Sequence, residues 1–202
     1  MLVLKSKLQR NVGVISKIRY FIDEKSVVNL YHSMVSSHIR YCNITWCFGN
    51  DTIKTSLQAQ CNKFLRAGLR LGWRDSVRDI MKHHKLLNIQ QICVSEIAKT
   101  MHKIHALFYP EQFIDFFATV THSYNTTSAD RFVPTFHRLT TTRQALSFRG
   151  PKVWTYLSDA IKYSSIIIDN FELRLLNSTQ SFSGKLKDFV LRDSSICSKI
   201  GI

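Results

Sequence analysis

The sequence is poor in residues that interrupt regular structure, with 7 glycines and 3 prolines among 202 residues. This scarcity excludes a collagen-like or low-complexity chain, and a hydrophobic share of 45% excludes intrinsic disorder. No apolar run approaches the roughly 20 residues that cross a bilayer, and the N-terminus lacks a signal-peptide core, so we expect no membrane span. A chain of this length buries roughly 70% of its unfolded surface, which suffices for a core without metals or disulfides.

The cysteines are few and show no Cys-x-x-Cys spacing, which argues against a structural zinc site. They are Cys42, Cys47, Cys61, Cys93 and Cys197. We predict free, mostly buried thiols in a reducing intracellular compartment, either cytoplasmic or nuclear. The first acidic residue is Asp23, and the basic, amphipathic stretch before it also resembles a mitochondrial presequence, so a mitochondrial location is the alternative.

Acidic residues are scarce as well, with 14 in total and no adjacent aspartates, so the clustered carboxylates of two-metal phosphoryl transfer are missing. The chain also has no glycine-rich phosphate loop and no Gly-x-Ser-x-Gly elbow. His83 and His84 are adjacent and would face different sides of a helix, whereas His102 and His105 have no carboxylate nearby in the sequence. We therefore expect no catalytic residues, no metal site and no cofactor, which indicates a binding module rather than a complete enzyme.

Apolar residues recur at helical spacing through most of residues 1–117, which predicts a compact unit of five packed helices. The first helix carries an apolar stripe of Leu4, Leu8, Val12, Ile15, Ile18 and Ile22. The second runs from about residue 26 to Gly49, with a stripe of Val28, Tyr31, Val35, Ile39, Cys42 and Trp46. The third starts near Asp51, buries Leu57, Cys61, Phe64 and Leu65, and weakens at Gly68 and Gly72. A short helix covers residues 76–84, and a longer one runs from about Ile89 to just before Pro110.

The character of the chain changes after residue 117, where residues 119–142 are rich in Thr, Ser and Asn. Strand-like alternation at residues 131–133 and 145–148 predicts a β-hairpin, and Pro151 suits the first turn of a following helix. A last helix would begin near Asp169 and run through Leu176. The expected organisation is mainly α: a helical unit over residues 1–117, a basic loop, hairpin and helical linker over 118–177, and a weakly structured tail over 178–202.

Basic residues outnumber acidic ones by 28 to 14, and the resulting net charge of +14 makes nucleic acid the expected partner. One basic cluster consists of Lys63, Arg66, Arg70 and Arg74, which a helix continuing through all four would align on one face. A second acid-free stretch, between Asp130 and Asp159, contains Arg131, Arg138, Arg143, Arg149 and Lys152. Guanidinium groups bind phosphates through paired hydrogen bonds, so we predict phosphate contacts at both clusters, the alternative being solvated surface charge.

Four segments, in order, resemble the C-terminal region of the reverse transcriptases of non-LTR retrotransposons, in particular the jockey-like clade. They are residues 30–46 with the motifs Leu-Tyr-His-Ser-Met-Val, His-Ile-Arg-Tyr-Cys and Trp46; residues 62–66, Asn-Lys-Phe-Leu-Arg; residues 122–125, His-Ser-Tyr-Asn; and residues 147–154, Ser-Phe-Arg-Gly-Pro-Lys-Val-Trp. The resemblance extends from about Asn11 to Leu176. Cys42 and Cys47 replace glycines of the family pattern, Thr127 an arginine, Thr155 an asparagine and Ser158 a proline.

The resemblance implies the region after the catalytic palm, namely the thumb that grips primer–template duplex and the linker beyond it. The paired catalytic aspartates and the endonuclease domain of the family would lie upstream. The resemblance therefore implies a non-catalytic fragment of an RNA-directed DNA polymerase from a transposable element, which binds duplex or RNA/DNA hybrid. The alternatives are a host basic helical protein that binds structured RNA and a protein that attaches to membrane surfaces through its basic N-terminal helix.

Overall fold

The computed structural model describes residues 2–47, 51–72, 74–106, 108–119, 132–134, 138, 145–157 and 171–193. Over these residues the fold is mainly α, as predicted. Its contacts divide the chain into two compact units, Met1–Ile92 and Cys93–Ile202. The domain boundaries at residues 117 and 177 stay predictions. None of the helices in the described segments is long and apolar enough to cross a membrane.

The first unit is built from helices. They are α1 (Leu2–Ile18), α2 (Glu24–Leu30), a π-helical segment (Tyr31–Ser36), α3 (Ser37–Arg40), α4 (Asn43–Trp46), α5 (Asp51–Gly68), α6 (Val77–His83) and the first residues of α7 (Ile89–His105). The prediction of one helix over residues 26–49 is wrong at Cys42, whose φ of 47° is left-handed and ends the helical run. Cys42 is exposed, while Cys47, Cys61 and Cys93 are buried, and within the described residues none of these four forms a disulfide bond.

Helix α5 forms the centre of the first unit and packs against α1, α2 and the π-helical segment. The predicted core residues Leu57, Cys61, Phe64 and Leu65 are all buried. Gly68 ends the helix at a close approach: a Cβ atom there would lie 2.6 Å from Val27 Cγ1 and 3.1 Å from Ile15 Cγ1. Because both neighbours are stiff, branched side chains, a glycine is required where α5 meets α1 and α2.

Tyr31 and Cys61 form a hydrogen-bonded pair in this core, joining the π-helical segment to α5. Burial raises the pKa of the Cys61 thiol to about 12 and raises the pKa of the Tyr31 hydroxyl well above its ordinary value. The Tyr31 ring also lies 6.0 Å from the ring of Phe64. Cys61 therefore stays a protonated, unreactive thiol and acts as a core residue.

The second unit contains the rest of α7 and the elements that follow it. They are α8 (Glu111–Ile114), β1 (Ala118–Thr119), β2 (Phe132–Val133), α9 (Leu146–Tyr156) and α10 (Phe171–Arg192). The predicted hairpin is wrong: β2 pairs antiparallel with β1, with Ala118 opposite Val133. Residues 146–148 are helical because the extended Ala145 caps α9, and its carbonyl accepts the Arg149 N–H. Pro151 consequently lies in the second turn of α9 rather than the first.

Helix α10 corrects a second expectation, that of a weakly structured tail from residue 178. The helix continues to Arg192, and Phe182, Leu186 and Val190 are buried. These three residues are spaced by four, so they form one apolar helical face. The polar residues 177–180 before them conceal this pattern in the sequence.

An aromatic cluster forms the core of the second unit around Trp154 of α9. Its ring lies 5.4 Å from the ring of His105, 6.4 Å from that of His102 and 6.5 Å from that of Phe132. His102 in turn stacks on Phe182 of α10 at 4.0 Å. The cluster thereby joins α7, β2, α9 and α10.

Candidate nucleic-acid interface

The first predicted basic cluster does not form a continuous helical face. Helix α5 ends at Gly68, and Arg70 follows in the left-handed region with a φ of 52°. Lys63 and Arg66 lie within α5, whereas Arg70 and Arg74 lie in the loop between α5 and α6. Lys63, Arg70 and Arg74 are exposed, and Arg66 is half-buried. The prediction of one aligned basic stripe is therefore wrong, because left-handed Arg70 and the Leu71 N–H, which donates back to the Arg66 carbonyl at 3.1 Å, end the helix before the last two arginines.

Arg66 and Arg70 have structural partners in this loop. The Arg66 guanidinium donates to the carbonyl of Gly72 at 2.8 Å and to that of Asp75 at 2.9 Å. Arg70 donates through Nε and Nη2 to the carbonyl of Arg19, at 3.2 and 2.8 Å, and its guanidinium lies over the ring of Tyr20. Arg66 thus holds the α5–α6 loop, and Arg70 joins that loop to the turn after α1.

Replacing Arg66 with Ala is expected to lower the free energy of unfolding by about 1–2 kcal/mol, since two hydrogen bonds from a charged donor are lost. Chemical denaturation of the purified variant measures this loss. Lys63→Ala removes the same charge from the same helix at an exposed position and is the matched control, with an expected change below about 0.5 kcal/mol. Equal stability of the two variants would contradict the structural role of Arg66.

Four exposed basic side chains lie in or beside α6, and we call them the α6 basic cluster. They are Arg74, Arg78, Lys82 and Lys85. Arg78 and Lys82 are one helical turn apart and therefore project from the same side of α6. The inward side of the helix is fixed by Val77 and Met81, which are buried. Arg78, Lys82 and Lys85 are not among the predicted contacts, although they continue the same basic run in the sequence.

A polar cleft of about 380 Å³ adjoins Arg78, between α5, α6 and the start of α7. Its lining consists of Asp51, Lys54, Thr55, Gln58, Ala59, Asn62, Arg78, Asn88, Ile89 and Gln90. Asn88 and Gln91 cap α7 reciprocally, each side chain accepting the backbone N–H of the other at 2.8 and 3.0 Å. Gln58 of α5 accepts the Ile89 N–H at 2.9 Å, so the cleft has a fixed wall of amide groups.

The second predicted basic cluster is described only in part. Arg143 and Arg131 lie outside the described residues, and Arg138 is exposed. Arg149 and Lys152 are half-buried on α9, and the Lys152 Nζ lies 4.2 Å from the centre of the Phe148 ring. Lys152 therefore packs its charge on an aromatic face within its own helix. The structure brings Arg149 and Lys152 together on one helix, whereas Arg66 and Arg70 face loop carbonyls.

The histidine pair His83 and His84 differs from its expected placement. Helix α6 ends at His83, and His84 is the residue after it, with φ of −85° and ψ of 7°. His84 Nε2 lies 2.7 Å from Oε1 of Glu24, the first residue of α2, and the two imidazole rings are 4.8 Å apart. The prediction that the two rings face different sides of a helix is wrong, because the chain leaves the helix between them.

The other histidine pair is a core feature of the second unit. His102 is 3% exposed, and its Nε2 atom has no hydrogen-bond partner among the described residues. Burial, assisted by the positive charges of His105 and Lys103, lowers the pKa of His102 to about 4. His102 is therefore neutral at physiological pH and stacks on Phe182 as an aromatic core residue.

Known proteins offer no guide to this interface. No family model, no curated protein and no solved structure matches the chain. The assignment of function therefore depends on the chain's own residues: an α6 basic cluster of exposed cations beside a polar cleft, on a chain with a net charge of +14.

Proposed function

We propose that this chain binds duplex nucleic acid or RNA/DNA hybrid through backbone phosphates, as the thumb and post-palm linker of a jockey-like non-LTR reverse transcriptase. The observation that carries the binding proposal is the α6 basic cluster, in which Arg78 and Lys82 project together from one exposed helix side. Exposed cations of this kind bind phosphates and release the condensed counterions of the duplex. The resemblance of the four sequence segments supports the assignment to a retrotransposon.

The composition of the surrounding segments supports the same partner. Residues 19–24 and 66–85 come together through the Arg70–Arg19 and His84–Glu24 hydrogen bonds. They contain seven Lys and Arg residues against four Asp and Glu residues. One of these acids, Asp75, accepts the Gly72 N–H at 2.6 Å within the loop. The local surface is therefore net basic, and it suits a polyanion without requiring a particular base sequence.

The proposed role is non-catalytic and intracellular, in the cytoplasm or nucleus where a retroelement enzyme meets its template. The catalytic aspartates would be supplied by a palm encoded upstream. The proposed contacts are Lys63 and Arg74 of the first predicted cluster, extended by Arg78, Lys82 and Lys85. Arg143, Arg149 and Lys152 are the proposed contacts of the second unit.

The double variant Arg78→Gln, Lys82→Gln is expected to bind a generic duplex more weakly, by a similar factor for every sequence tested. The logarithm of its affinity should also fall less steeply with the logarithm of salt concentration, by about 2 units of slope, because two phosphate contacts are lost. Fluorescence anisotropy with labelled DNA duplex, RNA/DNA hybrid and RNA hairpin of matched length, at several salt concentrations, measures both quantities.

The matched control is Lys103→Gln, Lys185→Gln, which removes the same charge from exposed positions of the second unit. We expect this control to keep most of the salt slope. Equal losses from the two double variants would contradict a localised site and indicate diffuse attraction by net charge. Preference for the RNA hairpin over both duplexes would favour the host RNA-binding alternative.

A further inference from the structure

We propose that Glu24, His83 and His84 form a binding site for a divalent transition-metal ion, with Zn²⁺ as the best match to the donor set. Each residue offers one ligand atom, and the three atoms lie within 4.8 Å of one another. The three residues are not among the proposed phosphate contacts. The sequence predicted no metal site here.

The geometry is close to what a metal ion requires. Ligand atoms about 2.0–2.1 Å from a tetrahedral zinc ion are roughly 3.3 Å from one another. His84 Nε2 and Glu24 Oε1 are already 2.7 Å apart, so an ion would separate them slightly while drawing in the His83 ring. Small side-chain rotations supply these shifts, because the Glu24 side chain is 64% exposed and His83 is exposed.

The ligands lie at the end of α6 and at the start of α2, two helix termini that are held in place by packing. His84 caps the end of α6 and its side chain is only 16% exposed, so its ring is held in place. Glu24 begins α2, three residues before the buried Val27, and α2 packs on α5. The site therefore joins two elements that are 60 residues apart in the sequence, and an ion bound there would cross-link them.

The donor set indicates the class of ion and its coordination. Two imidazole nitrogens with one carboxylate oxygen are typical of zinc sites that keep an open position for water. A cavity of about 400 Å³ lined by Glu24, Asp23 and Arg70, among others, leaves room for water beside the carboxylate. The nearby cations Lys82 and Lys85 oppose a divalent ion, so we expect micromolar rather than nanomolar affinity.

Titration of Zn²⁺ into the full chain by calorimetry, and of Co²⁺ by visible absorption, tests the site. We expect one ion per chain, with nitrogen and oxygen ligands and without the intense thiolate absorption that cysteine ligation would add. His83→Ala and Glu24→Gln are each expected to weaken binding by about tenfold or more. Glu24→Gln retains a side chain that can hydrogen bond to His84, so its fold and its metal-free melting temperature should match those of the wild type.

The matched controls are His38→Ala, which removes a histidine of α3 outside the group, and Cys42→Ser, which removes the exposed thiol. Both should bind Zn²⁺ as the wild type does and show the same rise in melting temperature on adding it. Absence of wild-type binding at millimolar Zn²⁺ would overturn the proposal. So would loss of binding in Cys42→Ser, or unchanged binding in both His83→Ala and Glu24→Gln.

Discussion

Lowering the pH from 6.5 to 4 is expected to destabilise the protein by about 3 kcal/mol through His102 alone. The folded protein holds the pKa of His102 at about 4, against an ordinary value of 6.5. Between these two pH values the unfolded chain therefore binds a proton that the folded chain does not. The stabilisation that neutral His102 contributes to the folded state is complete above pH 6.5 and is lost as the pH falls to 4.

The variant His102→Leu isolates this contribution from the titration of the carboxyl groups. Loss of the stacking contact with Phe182 changes the free energy of unfolding of the variant by the same amount at every pH. Loss of the titrating ring instead changes the slope of the free energy of unfolding against pH. We expect the wild type to lose about 3 kcal/mol more than the variant between pH 6.5 and pH 4 in urea denaturation followed by circular dichroism. Parallel stability curves for the two proteins would show that the His102 ring is accessible to protons in the folded state.

Trp154→Ala is expected to reduce the free energy of unfolding by about 3–5 kcal/mol, because it removes the ring that joins four elements of the second unit. The Trp154 side chain is 5% exposed and contacts three other rings, so the space it leaves cannot be filled without moving α7 or α9. Thermal and chemical denaturation of the variant measure the loss.

Tyr156 provides a matched control on the same helix. It is also aromatic but is 47% exposed, so Tyr156→Ala should cost much less than Trp154→Ala. Trp154→Phe, which keeps an aromatic ring in the cluster, is expected to fall between the two. A small effect of Trp154→Ala would contradict the central position of this ring in the core.

The helices of the first unit could be predicted because each buries one face at helical spacing. Leu57, Cys61 and Phe64 mark such a face on α5, and all three are buried as expected. The interruption at Cys42 could not be read in the same way, since the apolar pattern continues through it to Trp46. A left-handed residue other than glycine has little signature in the sequence, and here it separates α3 from α4.

The positions of Arg70 and Arg74 depend on the residue at which α5 ends. In a helix interior, Gly68 and Gly72 each cost roughly 1 kcal/mol, which is too little to decide from sequence whether α5 stops or continues. The helix ends because Arg70 adopts the left-handed conformation and the Leu71 N–H donates to the Arg66 carbonyl at 3.1 Å. A left-handed arginine has no signature in the sequence, and the positions of Arg70 and Arg74 follow from it.

The candidate metal site was hidden for a related reason. Whether His83 and His84 diverge or converge depends on the residue at which α6 ends, which the sequence does not fix to a single residue. Their partner Glu24 is 60 residues away and belongs to another helix. The pairing of β1 with β2 in the second unit could not be predicted either, because Ala118–Thr119 is too short a strand to show alternation.

Arg70 has a further consequence for any ligand of the first unit. Its Nε and Nη2 groups fasten the turn after α1 by binding the carbonyl of Arg19. An anion that recruits the same two N–H groups must first displace that carbonyl, so the cost of opening the turn is subtracted from its affinity. By thermodynamic reciprocity, a change that strengthens the Arg70–Arg19 hydrogen bonds lowers the affinity for such an anion, and binding of the anion weakens those hydrogen bonds.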